Sequence, residues 1–541
     1  MRKVILVSLA LIGCQGTISS LEPTIPGTNC KLTAPPTALV RMTHLQYDNT
    51  VNDLLGLTGQ TPSANFTPDP TFAGFNNSAE GLVVVDRLGR DYRRAAEDLA
   101  TLTINTPAAK SSILPCTQTT DACAQQFVDS FGRRAFRRPL TAAESTAYFT
   151  LFKRGGALVD GAPDAFTAGV SLTIEAMLQS PDFLYRTEVE LEASSTAGIA
   201  KLNPYEVASK LSYLLWNTMP DTTLLDAAER GQLATADQLR VQVLRMLEDP
   251  RAVQSIDDFH AQWLELERYH SIVRDTMLFP AFNATLPDQM EEETLRFTRS
   301  VIQEQQPFAT LYTANYTFVN ADLARVYGMT GITGSAFQRV TLDPAQRKGL
   351  LTQPGLLASH SYSRTSSPIH RGVFTVRRVL GQPQPDPPPG IDFTLPPLMG
   401  TVRTTRDQVT LKTSARDCAG CHVNINTPGF SFEHYDALGQ WRTQENGVDI
   451  DSTGTIVLSG KSTSFSDAIG LIDAIAESGE ARGSYARNWF RYASQRADGD
   501  NDSCELKTLT DGLADPQRPV RELLVDLALL PSFSLRPEVQ P

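Results

Sequence analysis

Apolar positions recur at helical spacing along most of this chain. In the first clear stretch, Thr43 and Gln46 form a capping-box pair, Val51 and Leu54 belong to an apolar stripe, and the pattern stops at Gly56. Three later helix starts carry similar signals: Thr141 with Glu144, Asn203 with Pro204 and Glu206, and Thr235 with Gln238. Between 448 and 458, Asp-Ser-Thr-Gly lies between β-forming residues and predicts a small hairpin. The pattern therefore predicts a mainly α fold built from several helical bundles.

Breaks in this pattern divide the chain into modules. Its 541 residues suffice for about three or four domains at roughly 150 residues each. Proline- and glycine-containing stretches and shifts of composition set the boundaries. We predict a signal peptide at 1–13, a tether at 14–37, and modules at 38–110, 111–190, 200–335, 345–457 and 460–535.

The N-terminus carries an export signal. Arg2 and Lys3 precede an apolar run from 4 to 12, which is too short to span a bilayer. The run ends in Leu-Ile-Gly-Cys14, which resembles a bacterial lipobox whose cysteine is lipidated; cleavage of an ordinary signal peptide nearby is the alternative. Gln15 in place of Asp favours the outer membrane. We expect an outer-membrane lipoprotein that faces the periplasm or the cell surface and is attached to the membrane through Cys14.

The charge balance excludes one class of partner. The net charge of −12 and the isoelectric point near 5.2 argue against a polyanion such as nucleic acid.

No later stretch approaches 18 consecutive apolar residues, so we predict no transmembrane helix in the body of the protein.

The strongest chemical signal is Cys418-Ala-Gly-Cys421-His422. Two cysteines at this spacing can form thioethers to both vinyl groups of a porphyrin, and the adjacent imidazole can bind the iron as its proximal ligand. A redox dithiol, half of a zinc site and a local disulfide are the alternatives. A complete zinc site needs further ligands nearby, and the chain has no second Cys-x-x-Cys pair. The motif therefore favours haem c.

The sixth iron ligand decides what such a haem can do. Small soluble electron carriers usually place a methionine after the attachment motif, but no methionine follows Met399 here. The candidates are His434, His370, Met399 and His360, or an open site. Two histidine ligands suit electron transfer at low potential, whereas an open position permits binding of a small ligand and hence catalysis.

Two groups of charged residues could act in function or in structure. Glu433 and Asp436, shortly after the motif, are either proton donors or hydrogen-bonding elements of a turn, and the turn is the interpretation we favour. Arg133, Arg137 and Arg138 belong to a cluster that could clamp an anion or a haem propionate. Pairing with acidic neighbours at a helix end is the favoured interpretation of that cluster.

The remaining cysteines predict disulfides, because the exported compartment is oxidising. Cys116 and Cys123 flank a short polar loop before a helix, so we predict a local bridge between them. Cys30 with Cys504 follows by elimination.

The order of several segments resembles a known family of multidomain secreted proteins with cytochrome-c-like segments, found in planctomycetes and myxobacteria. The resemblance is carried by Arg41–Val51 with Asp53–Gly56, Phe131–Thr141, Ser180–Arg186, Ser367-Pro368 with Arg371-Gly372, Cys418–His422 and Tyr435–Gly439. It implies haem binding in a cytochrome-c-like module at 345–457, but it implies no substrate and no redox partner. Relatives commonly carry a cysteine where this chain has Ser484, which leaves Cys504 paired with Cys30 or as a free thiol.

The leading hypothesis is an exported, lipid-anchored monohaem c-type cytochrome-like protein. It would act in electron transfer or as a haem-dependent oxidoreductase at the cell envelope, so whether it is an enzyme stays open. Its redox partner or polymer substrate is not identified by the sequence. The alternative is a non-redox surface binding or scaffold protein in which Cys418 and Cys421 form a disulfide.

Overall fold

Helices dominate the structure, a computed structural model that describes residues 38–538 except 190, 195–196, 388–389 and 391–393. Strands form only two-stranded and three-stranded sheets, so the predicted mainly α fold is confirmed. Within the described part of the chain, no helix is long and apolar enough to cross a membrane. The predicted signal peptide, Cys14, the tether and Cys30 lie outside the described residues.

Capping residues set the helix starts largely as the sequence predicts. The capping boxes at Thr43, Thr141 and Thr235 are all present, and Gly56 ends the first helix with a left-handed φ of 64°. One detail differs. Glu206 does not complete a capping box with Asn203, because its carboxylate accepts the Val189 N–H at 2.8 Å instead.

The first third of the chain forms helices around a single core. Its elements are β1 (Ala38–Arg41), α1 (His44–Leu55), a 3-10 turn (Pro62–Asn65), α2 (Asp86–Asn105), α3 (Pro107–Ile113), α4 (Asp121–Ala135), α5 (Ala142–Lys153), α6 (Gly155–Leu158), α7 (Ala165–Leu178), α8 (Pro181–Leu184), β2 (Tyr185–Glu188) and β3 (Leu191–Ala193). Apolar side chains from Met42 to Met219 make one continuous cluster across the first two predicted modules. The two modules therefore share a core, and antiparallel pairing of β1 with β2 links them further.

The middle of the chain begins with a strand and continues mostly as helices. Its elements are β4 (Ile199–Leu202), α9 (Pro204–Leu215), α10 (Thr222–Glu229), α11 (Ala236–Leu247), α12 (Ala252–Trp263), a 3-10 turn (Leu266–Ser271), α13 (Leu286–Gln303), α14 (Thr310–Thr313), β5 (Tyr316–Val319), α15 (Ala321–Tyr327) and β6 (Gln338–Thr341).

The last two predicted modules follow without a separate core. Their elements are a 3-10 turn (Leu350–Thr352), α16 (Pro354–Ser359), α17 (Pro368–Phe374), a π-helical turn (Thr375–Val379), α18 (Thr405–Lys412), α19 (Arg416–Phe430), a 3-10 turn (Ser431–His434), β7 (Gln444–Glu445), β8 (Val448–Asp449), β9 (Gly454–Leu458), β10 (Lys461–Phe465), α20 (Ala468–Glu477), α21 (Gly479–Ser494), a 3-10 turn (Asp500–Asp502), α22 (Ser503–Gly512), α23 (Glu522–Leu529), α24 (Pro531–Ser534) and β11 (Leu535–Pro537). One apolar cluster takes members from Leu202 to Phe533, although none of them lies between Leu380 and Phe432, the stretch that contains α18 and α19. The C-terminal strand β11 returns to pair with β4, which closes this larger body.

The predicted hairpin at 448–458 is shifted. In the structure β8 pairs with β7, and β9 pairs with β10, so this stretch does not fold on itself. The turns lie at Asn446-Gly447 and Ser459-Gly460, whose four φ angles of 51°, 74°, 50° and 73° are all left-handed. Two successive positive φ angles match the twist of the flanking strands, and Asn-Gly supplies them easily. The Asn446-Gly447 pair was therefore the better turn signal.

A buried polar group joins the two bodies. Asn217 accepts a hydrogen bond from Gln46 of α1 at 3.0 Å and donates to the hydroxyl of Tyr492 in α21 at 2.9 Å. The same hydroxyl donates to Asp258 of α12 at 2.7 Å. Because unpaired polar groups are costly in a protein interior, this network specifies how the bodies pack.

Three buried arginines hold the turn that follows α19, residues 432–439, which we call the clamped turn. Arg371 of α17 donates to the carbonyl oxygens of Phe432 and Tyr435, both at 2.8 Å, and of Asp436 at 2.6 Å. Burial lowers the pKa of Arg371 to about 10, so the guanidinium is still charged at neutral pH.

The other two arginines come from outside the helix pair. Arg274 donates to the carbonyl of Ala437 at 2.9 Å, and Arg347 donates to that of Gly439 at 2.5 Å. Both guanidinium groups are buried. Charged donors thus satisfy backbone carbonyls that would otherwise lie unpaired in the interior.

Arg371→Met is expected to lower the free energy of unfolding by about 3–5 kcal/mol, because it leaves several buried carbonyls without donors. The matched control is Arg377→Met, one helical segment further on, where the guanidinium is exposed and contacts the Gln384 carbonyl and Asp386. We expect the control to change stability by no more than about 0.5 kcal/mol. Urea unfolding of both variants measures the difference, and similar midpoints would refute the clamp.

Candidate functional site

The Cys-x-x-Cys-His motif lies inside α19. Cys418 and His422 are four residues apart and share one helix face, and Cys421 lies beside them. Cys421 is exposed, whereas Cys418 and His422 are partly exposed. Both cysteines are free thiols, so the structure does not contain the disulfide of the alternative hypothesis. Two thiols and one imidazole are therefore presented together at the surface.

Close packing against α17 fixes the position of α19. A Cβ atom at Gly372 would collide with the carbonyl oxygen of Ile425, and one at Gly429 would collide with that of Pro368. These two contacts set the helices antiparallel at backbone distance, which only glycine permits. Pro428 inside the helix has no N–H to donate, yet the helix continues to Phe430.

His422 is held by its own helix. Its Nδ1 atom lies 2.9 Å from Oδ1 of Asn426, one turn further along. Asn426 in turn donates through Nδ2 to the hydroxyl of Thr413 at 2.8 Å. Thr413 caps the end of α18, so the contact also joins the two helices.

Several apolar side chains on α19, on α18 and on the segment before α18 are exposed. Leu398 and Met399 precede α18, Leu411 lies on it, and Val423 follows His422 on α19, with exposed fractions of 50%, 68%, 53% and 64%. Gln408 of α18 donates to the Pro396 carbonyl at 2.5 Å, which ties the preceding loop to this helix. Apolar surface left in water is unfavourable unless something covers it. A flat apolar group fits such a surface.

The acidic pair after the motif belongs to the structure rather than to an exposed proton relay. Glu433 is buried, accepts from Ser366 at 2.9 Å and pairs with Arg442 at 3.2 Å; burial raises its pKa. Asp436 accepts the backbone N–H groups of Leu438 and Gln440, both at 2.8 Å, and so shapes the clamped turn.

His434 lies at the end of the same helical segment as His422. Because α19 runs directly into the 3-10 turn Ser431–His434, twelve residues at about 1.5 Å each separate the two histidines by roughly 18 Å. Two imidazoles on opposite sides of one iron have Cα atoms at most about 13 Å apart, given metal–nitrogen bonds of about 2 Å. The ring of His434 also donates to the Arg442 carbonyl at 2.9 Å and stacks on Trp441 at 4.7 Å. The structure does not bring His434 to the motif.

His370 lies on the wrong face of α17. Pro368 and Gly372 face α19, and His370 is two residues from each, about 160–200° around the helix. Its ring packs on Tyr362 at 5.3 Å.

His360 is part of the core. Its Nδ1 donates to the Leu356 carbonyl at 2.9 Å and its ring packs on Phe374 at 4.6 Å. Burial lowers its pKa to about 4, so it is neutral. Of the four proposed sixth ligands, His370 and Met399 are exposed, and Met399 is the one that lies on the segment tied to α18.

Five family models match the chain in succession. Each is described as a protein of unknown function: DUF1587 at 41–105, DUF1595 at 123–188, DUF1592 at 202–329, DUF1588 at 347–445 and DUF1585 at 461–533. The chain belongs to the planctomycete-type cytochrome-c-like family. The motif lies within the DUF1588 match. Neither the curated proteins nor the solved structures compared with the chain give a match.

The cysteines outside the motif that the structure describes form disulfides. Cys116 and Cys123 form the predicted disulfide, with Cα atoms 5.9 Å apart. Cys504 is also a disulfide cysteine rather than a free thiol; its predicted partner, Cys30, lies outside the described residues. Ser484 donates to the Arg378 carbonyl at 2.9 Å.

The arginine cluster is structural, as favoured from the sequence. Arg133 pairs with Asp226 at 2.8 Å, and Arg138 pairs with Glu144 at 2.8 Å. Arg137 is buried and donates to backbone carbonyls.

Sequence reasoning missed Asn426 and Thr413, and it did not foresee the role of the three clamping arginines. Asn426 had a usable signal in this family member, since it stands four residues after a candidate ligand on the same predicted helix. Arg274 and Arg347 had none, because their acceptors lie far away in sequence.

Gly372→Ala is expected to destabilise the protein by about 1–3 kcal/mol, because the new methyl group forces α17 away from α19. Gly420→Ala is the matched control within the motif: a Cβ there meets no atom within 4 Å. Alanine favours a helix over glycine by up to about 1 kcal/mol, so the control should be neutral or stabilising. Thermal unfolding compares the two, and a loss of stability in the control alone would contradict this packing.

Proposed function

We propose that this protein is an exported, lipid-anchored monohaem c-type cytochrome-like protein that acts in redox chemistry at the cell envelope. In this proposal Cys418 and Cys421 carry the porphyrin through thioether bonds, and Nε2 of His422 binds the iron. The observation that carries the proposal is the geometry of α19. Two free thiols and a partly exposed imidazole lie on adjacent faces of one helix, which also exposes Val423, and Leu398 and Leu411 are exposed on α18 and the segment before it.

The residues present are of the chemical types that a bound haem requires. The porphyrin is flat and mostly apolar, and covering Leu398, Leu411 and Val423 would remove apolar surface from water. Gly420 leaves open space between the two cysteines. When bound, haem supplies one-electron redox chemistry and, with an open sixth position, binding of small ligands.

The positions of the candidate ligands limit which side chain could bind the iron opposite His422, and therefore which activity the protein could have. His434, His370 and His360 are each engaged away from the motif, so a protein ligand opposite His422 would have to be Met399. A methionine ligand raises the reduction potential and suits electron transfer. Without it the sixth position is open, which suits a haem-dependent oxidoreductase. The proposal covers both activities, and spectroscopy separates them.

The proposed anchor rests on the lipobox at Cys14. Cys14 and Ala38, the first described residue, are 24 positions apart, and such a chain spans at most about 80 Å. The body would thus stay close to the membrane surface, where its redox partner must reach it.

The double variant Cys418→Ser with Cys421→Ser is expected to abolish covalent haem, because no thiol is left to form a thioether. The test is a haem stain after denaturing electrophoresis of protein made with a cytochrome maturation system. Cys116→Ser with Cys123→Ser is the matched control, since it also removes two cysteines but leaves the motif intact. An unstained wild-type band with free thiols at 418 and 421 would contradict the proposal.

His434→Ala is expected to leave the ferric spectrum unchanged, because His434 lies too far along the helix to reach the iron. Met399→Ala should convert a low-spin six-coordinate spectrum to a high-spin one if the protein is an electron carrier. A wild-type spectrum that is already high-spin and reacts with peroxide would instead assign the oxidoreductase activity. Conversion to high spin by His434→Ala would contradict the geometry.

A further inference from the structure

The side chain of Asn426 is the structure's most specific contact with the candidate haem ligand. It is 9% exposed, stands one helical turn after His422 and places Oδ1 at 2.9 Å from the ring Nδ1. A buried amide in contact with a metal-binding imidazole is well placed to control that imidazole.

The orientation of the amide is dictated by its neighbours. The Thr413 hydroxyl donates to the Val409 carbonyl at 2.8 Å, so its hydrogen is already used. It can therefore only accept from Asn426, which places the NH₂ group toward Thr413 at 2.8 Å. The amide oxygen is then left facing His422.

This orientation decides the tautomer of His422. An amide oxygen only accepts, so Nδ1 carries a hydrogen, and of the two neutral tautomers this contact selects the one whose lone pair is on Nε2. Nε2 is the atom that the proposed function assigns to the iron. The relay Val409–Thr413–Asn426–His422 thus prepares the imidazole before any metal arrives.

We propose that Asn426 is a positioning residue that holds His422 with its proton on Nδ1 and, as an amide, leaves the bound iron easier to reduce than a carboxylate at the same place would. This inference rests on the proposed function. A carboxylate at the same place would draw the Nδ1 proton and make the ring a stronger electron donor, which stabilises ferric iron. The neutral amide holds the ring equally well without that effect. In haem-loaded protein a chemical reductant would supply the one electron that converts ferric to ferrous iron.

The test compares Asn426→Asp and Asn426→Leu in haem-loaded protein by potentiometric titration. Asn426→Asp should favour ferric iron by about tenfold, which is a fall of 59 mV for one electron. Asn426→Leu removes the acceptor without adding charge, so its potential should not fall. A purely structural role would move both variants in the same direction, and that result would overturn the inference.

Asn424→Asp is the matched control, because Asn424 is exposed on the same helix. It adds the same charge near the iron without touching His422, so its shift should be clearly smaller than that of Asn426→Asp. Equal shifts would mean that charge alone acts, and would overturn the role of the contact.

A second measurement needs no haem. It is made first on the wild-type apoprotein, so its result does not depend on whether a variant folds. Nitrogen NMR of histidine-labelled apoprotein, with the His422 signal assigned by His422→Ala, should show the Nδ1-protonated tautomer in the wild type. Thr413→Val keeps Asn426 but removes its acceptor, and it should reduce that population. An Nε2-protonated His422 in the wild type would refute the relay. Wild-type protein that takes up no covalent haem would refute the proposed function itself, whereas haem-loaded protein with insensitive potentials would refute only this inference.

Discussion

The rest of the structure depends on charged side chains that satisfy buried backbone carbonyls at the clamped turn. Arg371, Arg274 and Arg347 reach this turn from three different segments, and each is nearly inaccessible to water. Removing these charges from water is costly, and hydrogen bonds to several carbonyls offset that cost. A turn held in this way has one conformation rather than many. It therefore defines where α19 ends and how that helix meets the larger core.

Because of this anchoring, the two halves of α19 differ in their exposure to solvent. Its C-terminal half is buried against α17 and the clamped turn, whereas its N-terminal half presents Cys418, Cys421 and His422 toward solvent. A site on a rigid helix keeps its geometry better than one on a loop. The buried half thus supplies rigidity, and the exposed half supplies chemistry. The contact from His422 through Asn426 to Thr413 connects the two.

Local signals were predictable from the sequence, and distant pairings were not. The capping boxes, the left-handed Gly56, the Cys116–Cys123 bridge and the helical location of most apolar stripes each depend on residues a few positions apart. Pairing of β1 with β2 joins residues nearly 150 positions apart, and Arg347 reaches the carbonyl of Gly439. Backbone carbonyls leave no trace in a sequence, so an arginine that binds them looks like any other charged residue. The capping role predicted for Glu206 was wrong for a similar reason. Its carboxylate accepts the backbone N–H of Val189, and a sequence does not show which backbone groups a side chain will bind.

The sixth ligand shows how the fold changes a chemical argument. Twelve residues between His422 and His434 look close in sequence, and in a loop they could bring two ligands to one iron. In the structure α19 and the 3-10 turn that directly follows it hold these twelve residues in helical conformation, so the two histidines lie far apart along the chain axis. Opposite faces of a haem must be approached from different elements, so the ligand opposite α19 has to come from another segment or from solvent. The exposed loop that carries Met399 is attached to the neighbouring helix and meets that condition. In the proposed haem protein, Met399 as a ligand would therefore suit an electron carrier, and a sixth position without it would suit an oxidoreductase.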